Sequence, residues 1–161
     1  MFNVGDKVVY PMHGAGVIEA IEEKEVLGEK QKYYIMRLPL GEMKVMIPMT
    51  NVAGVGLREV ISEEEVQKVF DILQGQKTKM STNWNRRYRA NLEKIRSGNI
   101  YEVAEVVRNL ILRDLEKGLS TGERKMLDNA RQILISELVL AKGIAEEDAR
   151  AILDSVFESP S

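Results

Sequence analysis

Few side chains in this 161-residue chain can do covalent chemistry. It has no Cys, which excludes disulfides, thiolate metal sites and a Cys nucleophile. Its one His, His13, lies in the turn His13-Gly14-Ala15-Gly16, with no Ser or Asp at a triad-like spacing. A local hydrogen bond is its expected role. Gly14-x-Gly16 and Gly54-x-Gly56 lack the third glycine of a dinucleotide loop, and neither opens a βαβ unit. The acids Glu63, Glu64 and Glu65 begin a helix, where they complement its dipole, and are not a metal site. The chain is therefore expected to be no enzyme, and to need no cofactor, metal or small-molecule substrate.

The informative cluster is basic. Between residues 77 and 96 stand Lys77, Lys79, Arg86, Arg87, Arg89, Lys94 and Arg96, against a single acid, Glu93. The chain as a whole carries a net charge of −2, so this is a basic island on an otherwise acidic molecule. Dense arginines draw phosphate by Coulomb attraction and counterion release, and pair bidentately with its oxygens. The only Trp, Trp84, stands two residues before the first of these arginines, among Thr82, Asn83 and Asn85. A buried anchor is one role for it; an exposed indole beside arginines can instead stack on unpaired bases or wedge at a base step. Both readings stay open at this level, as does the reading of the arginines as ordinary solvated charges.

The elements that must position this cluster change character near residue 60. Before it, Val8-Val9-Tyr10, the segment 17–21, the Tyr- and Ile-rich segment 32–38 and the segment 43–47 read as strands. In the second of these, Val17, Glu19 and Ile21 are expected on one face. Turns at His13–Gly16, Gly28-Glu29 and Pro39-Leu40-Gly41 separate them, which predicts a small, bent antiparallel sheet or barrel. After it the period becomes helical. Ser62/Glu65 and Ser120/Glu123 have capping-box spacing, and Asn99 can cap a third helix. Stripes such as Val103, Ala104, Val107, Leu110 and Ile111 face a core, and Gly75, Gly118 and Gly143 are expected to close helices. The expectation is an α+β chain with a β module over 1–60 and a compact five-helix bundle over 61–161.

No apolar run approaches the roughly 18 residues of a membrane span, and the N-terminus lacks a signal-peptide pattern, so a cytoplasmic protein without membrane contact is expected.

Residues 4–22 (VGDKVVYPMHGAGVIEAIE) and 47–60 (IPMTNVAGVGLREV) resemble the N-terminal module of the CarD/CdnL transcription regulators of bacteria. Residues 82–99 (TNWNRRYRANLEKIRSGN), 103–110 (VAEVVRNL) and 119–134 (LSTGERKMLDNARQIL) resemble their C-terminal domain. The first module is also similar to one in the transcription-repair coupling factor, whose helicase motor has no counterpart here. The resemblance implies a Tudor-like small barrel that docks on the RNA polymerase β subunit. It implies a helical domain that touches promoter DNA, weakly and largely without regard to sequence, at the upstream edge of the melted bubble. The DNA-binding positions it implies are Trp84, as a minor-groove wedge, with Arg86 and Arg89; Arg87 and Asn83 of the same cluster are expected to join them. The family's basic polymerase-binding positions match Lys24, which keeps the charge, and Met46, which does not; docking is therefore expected to lean also on apolar and backbone contacts, with Val26, Val45 and Pro48 added to the set. The implied outcome is a stabilised open promoter complex, ribosomal RNA promoters included, and association with the nucleoid through polymerase. The alternative is a two-domain protein–protein interaction module without DNA contact.

Overall fold

The computed structural model describes residues 2–158. Five strands form one antiparallel sheet: β1 (Lys7–Tyr10), β2 (Gly14–Val26), β3 (Glu29–Leu38), β4 (Met43–Pro48) and β5 (Arg58–Glu59). Their order is β4-β3-β2-β1-β5, so β4 and β5 are its edges. One face packs Val8, Ile18, Tyr34, Met36, Leu38, Ile47 and Leu57 into a small core. A register shift between Ile18 and Ala20 interrupts the alternation of β2. The extra residue of this bulge puts Ile18, opposite Met36, and Ile21, opposite Tyr34, on the same face. The expected grouping of Val17 with Ile21 is thereby corrected, because strict period two fails across a bulge.

Six α-helices are present among the described residues, where the sequence reading expects five. The additional one is α1 (Val52–Val55), a single turn after β4 that closes at Gly56 in the left-handed region. The others are α2 (Glu63–Leu73), α3 (Trp84–Arg96), α4 (Ile100–Lys117), α5 (Thr121–Lys142) and α6 (Glu146–Val156). Ser62 and Glu65 form a reciprocal capping box on α2. That helix ends at Leu73, with Gln74 as its C-cap and Gly75 immediately after it. Ser120 caps α5 through Glu123, and Gly143 closes it at φ 65°. The apolar stripes of α2, α4, α5 and α6 meet in one core around Val107, Leu110, Leu134 and Leu138.

The two halves are joined by specific contacts. The guanidinium of Arg58 on β5 forks onto the buried carboxylate of Glu137 on α5, at 2.8 and 2.9 Å, and its Nε donates to Gly98 O at 2.7 Å. The other Glu137 contact is the amide of Ile61, 2.9 Å from Oε2. The β1–β2 turn is wedged between helices: a Cβ at Gly14 would lie 2.8 Å from Ser136 Oγ, and one at Gly98 2.8 Å from Pro11 Cγ. Both glycines have positive φ, 107° and 73°. Only glycine gives both this backbone and this closeness.

Candidate nucleic-acid and protein interfaces

Trp84 is the first residue of α3, and side chains of a helix tilt toward its N-terminus. The indole therefore stands at the end of α3, where it meets the start of α5. It stacks on Tyr88 one turn along, with centroids 4.9 Å apart and planes 18° from parallel. A Cβ on Gly122 would lie 3.4 Å from its Cζ2, so that glycine leaves room for the ring edge. Its Nε1–H donates to Ser120 Oγ at 3.0 Å. The indole is nevertheless 41% exposed, well above a core residue.

The basic residues divide into two groups. Arg87 is buried, at 4% exposure. Its Nε donates to Glu123 Oε2 at 2.7 Å, its Nη2 to Glu123 Oε1 at 3.1 Å, and its Nη1 to Ser81 O at 3.2 Å. The hydrogen bonds from Arg87 hold the Glu123 carboxyl below the usual carboxylate range, and those same bonds raise Arg87. The sequence reading places Arg87 among the DNA contacts; the structure turns it inward, because α3 offers this position to α5 and Glu123 is there to meet it. Lys77 pairs with Glu116 at 2.7 Å and Lys94 with Glu105 at 3.3 Å. Among the described residues, Lys79, Arg86, Arg89 and Arg96 have no carboxylate within 4.0 Å. Arg86 and Arg89 are exposed. At about 100° per residue they lie about 160° and 140° around the α3 axis from Trp84, on the outer side of the helix. Asn83 is the α3 N-cap; its Oδ1 accepts from Arg86 N at 3.1 Å.

Sequence reasoning missed the polar pins that hold the segment before α3. Arg108 and Asn109 on α4 are buried, Asn109 Oδ1 accepts from Thr78 N, and Arg108 Nη1 donates to Ile72 O. Two polar residues in the midst of the stripe Val103–Leu110 were the available signal, since buried polar groups require partners.

The polymerase-binding expectations fall on the sheet. Strand register puts Lys24 opposite Gln31, Val26 opposite Glu29, Met46 opposite Ile35 and Pro48 opposite Tyr33, all on the face away from the sheet core. Val45 lies opposite Met36 and packs against that core. It thus points away from the other four, as the period-two pleat of β4 requires. Met46 is 43% exposed and Val26 45%. β4 is an edge, so the strand also offers unpaired backbone groups.

A cleft of about 410 Å³ lies elsewhere, where the two halves meet, lined by Arg58, Ile61, Glu65, Asn99 and Tyr101 among others. Among the described residues, no group of three or more His, Asp or Glu is placed to hold a metal ion, and no helix is long and apolar enough to cross a membrane.

Comparison with known proteins gives two family matches: "CarD-like/TRCF RID domain" over residues 2–61 and "CarD, C-terminal domain" over residues 68–154. The chain is 46% identical over 151 residues to the putative transcription factor YdeB of Bacillus subtilis (strain 168), covering 94% of this chain and 99% of that protein. It is similar to the solution NMR structure of the 72-residue N-terminal domain of Myxococcus xanthus CarD, with 39% identity over 37% of this chain and 79% of that one, at a TM-score of 0.33. The N-terminal domain of CdnL from the same organism gives 48% identity over 39% of this chain and 89% of that one, at a TM-score of 0.35.

Proposed function

Because the chain belongs to the CarD family of transcription regulators, we propose that it acts at initiation, by docking on the RNA polymerase β subunit and stabilising the open promoter complex. The observation that carries the DNA half of this reading is the half-exposed Trp84, stacked on Tyr88 at the N-terminal end of α3, with Arg86 and Arg89 exposed on the outer side of the same helix and, among the described residues, without ion-pair partners. A nucleic acid crossing the N-terminal end of α3 meets the indole end-on and lays phosphates along the outer arginines. The indole N–H is already donated to Ser120, so the ring offers a base step an apolar surface and no hydrogen-bond readout. That suits a weak, largely sequence-independent wedge in the minor groove. Asn83, with its amide group beyond the cap, completes the set; Arg87 supports it from within.

The polymerase half rests on the N-terminal module, read as Tudor-like, through Lys24, Val26, Met46 and Pro48 and the open edge of β4. An extended segment of the partner can add to that edge by backbone pairing. Melting a promoter costs a few kcal/mol per distorted step, and a protein that binds only the open form shifts the equilibrium by its differential affinity. Docking raises the effective concentration of the DNA-contacting end, so one basic island suffices on an acidic chain.

The test is open-complex lifetime on a ribosomal RNA promoter with cognate polymerase, compared with no protein, wild type and Trp84→Ala. A longer lifetime with wild type, lost in the variant, is expected. No effect of wild type, with polymerase binding confirmed, would overturn the reading and leave a protein–protein interaction module.

A further inference from the structure

The hydrogen bonds behind Trp84 form a closed circuit. The indole N–H reaches Ser120 Oγ at 3.0 Å. Ser120 Oγ also accepts from Glu123 N at 3.2 Å and donates its own proton to Glu123 Oε1 at 3.3 Å. A hydroxyl has one donor and two acceptor positions, and all three are used, so its rotor is locked. Glu123 is in turn clamped at both oxygens by Arg87, at 2.7 and 3.1 Å. Arg87 Nη1 returns the circuit to Ser81 O, three residues before Trp84. Glu123 and Arg87 are 1% and 4% exposed, so neither can reach DNA.

We propose that Ser120, Glu123 and Arg87 are positioning residues that hold the Trp84 indole in one presentation, ready to insert at a base step. The proposal rests on the function given to Trp84 above. An indole at the first position of a helix, with one face in solvent, keeps freedom at two side-chain torsions. Stacking on Tyr88 alone lets the ring slide; the N–H···Oγ bond fixes where its edge points. A wedge already ordered in the free protein loses less freedom on insertion.

The chain's only Trp makes the test direct, since its emission reports this ring alone. Ser120→Gly removes the acceptor while leaving a residue tolerated at a helix N-cap, and Ser120→Thr restores the hydroxyl. In the free protein, Ser120→Gly is expected to lower the anisotropy of the indole and raise its quenching by iodide, with Ser120→Thr close to wild type. With polymerase and promoter, Ser120→Gly is expected to shorten open-complex lifetime about three- to tenfold, the range set by ordering one side chain, and Ser120→Thr to recover it. Thermal melts of both variants separate this from unfolding. Unchanged anisotropy and quenching in Ser120→Gly would overturn the positioning role whatever the lifetime does. A loosened indole with an unchanged lifetime, where Trp84→Ala shortens it, would also overturn it. If Trp84→Ala has no effect on lifetime, the proposed function fails, and the fluorescence of the free protein alone decides whether Ser120 positions the ring.

Discussion

Arg87 offers the sharpest test of the structure, because its sequence neighbourhood and its position demand opposite outcomes. As one of a cluster of surface arginines, its loss would leave stability unchanged. As the partner of Glu123, its loss strands a carboxylate that is 1% exposed. Arg87→Met keeps most of the apolar stem and removes the charge. Breaking a buried pair from one side costs about 3–5 kcal/mol, since the remaining charge has lost its partner. For a chain of this size that lowers the melting temperature by about 6–20 °C. Arg86→Ala and Arg89→Ala, at exposed positions without ion-pair partners among the described residues, should each stay within about 0.5 kcal/mol of wild type. The double variant Arg87→Met/Glu123→Leu should recover most of the loss, because replacing both ions by apolar groups is often near neutral. The pH dependence has a definite sign. In wild type the Arg87 hydrogen bonds hold Glu123 below its ordinary value. The stability from this pair is therefore complete above the unfolded-state value of about 4.3 and is lost as pH falls through the lower folded-state value. In Arg87→Met, burial without the guanidinium raises the Glu123 carboxyl, so the variant recovers stability by taking up a proton as pH drops. The gap between the two proteins should narrow from pH 7 to pH 4. Urea denaturation at both pH values measures it. A loss below about 1 kcal/mol at pH 7, or a gap that does not change with pH, would refute the buried-pair argument.

Three further outcomes are expected. Arg86→Ala/Arg89→Ala should reduce the slope of log binding constant against log salt, for the polymerase–promoter complex, by about 1.8 if each arginine meets one phosphate; an unchanged slope would remove them from the DNA interface. Met46→Lys should leave the melting temperature unchanged while altering capture of polymerase in a pull-down, whereas Val45→Lys, directed toward the sheet core, should destabilise by about 1–3 kcal/mol in denaturant melts. Gly98→Ala should cost more than Gly143→Ala: both have positive φ and pay about 1–2 kcal/mol for it, but only at Gly98 does the new methyl collide with Pro11, at 2.8 Å.

Much of the architecture was legible in the sequence because it rests on local physics. The capping pairs Ser62/Glu65 and Ser120/Glu123 and the left-handed closure at Gly143 are decided within a few residues of chain. The stripes of α4 and α5 announce a helical core, and the motif around Trp84 carries the family resemblance that the matches over residues 2–61 and 68–154 show. Composition alone excluded any thiol chemistry.

What the sequence could not decide were relations across the chain. Nothing near Arg87 distinguishes it from Arg86 or Arg89; Glu123, 36 residues on, draws it inside. Ser120 looks like a helix cap and is one, yet it also fixes an indole from another helix. The bulge at Ile18/Ala20 and the reversal of Val45 depend on which strands pair and in what register. The junction that buries Glu137 under Arg58 joins residues 79 apart. Each of these depends on desolvation and on partners supplied by distant segments, and such partners exist only once the chain has folded. Local propensity therefore determined the elements and their faces, while tertiary packing decided which charges remain on the surface.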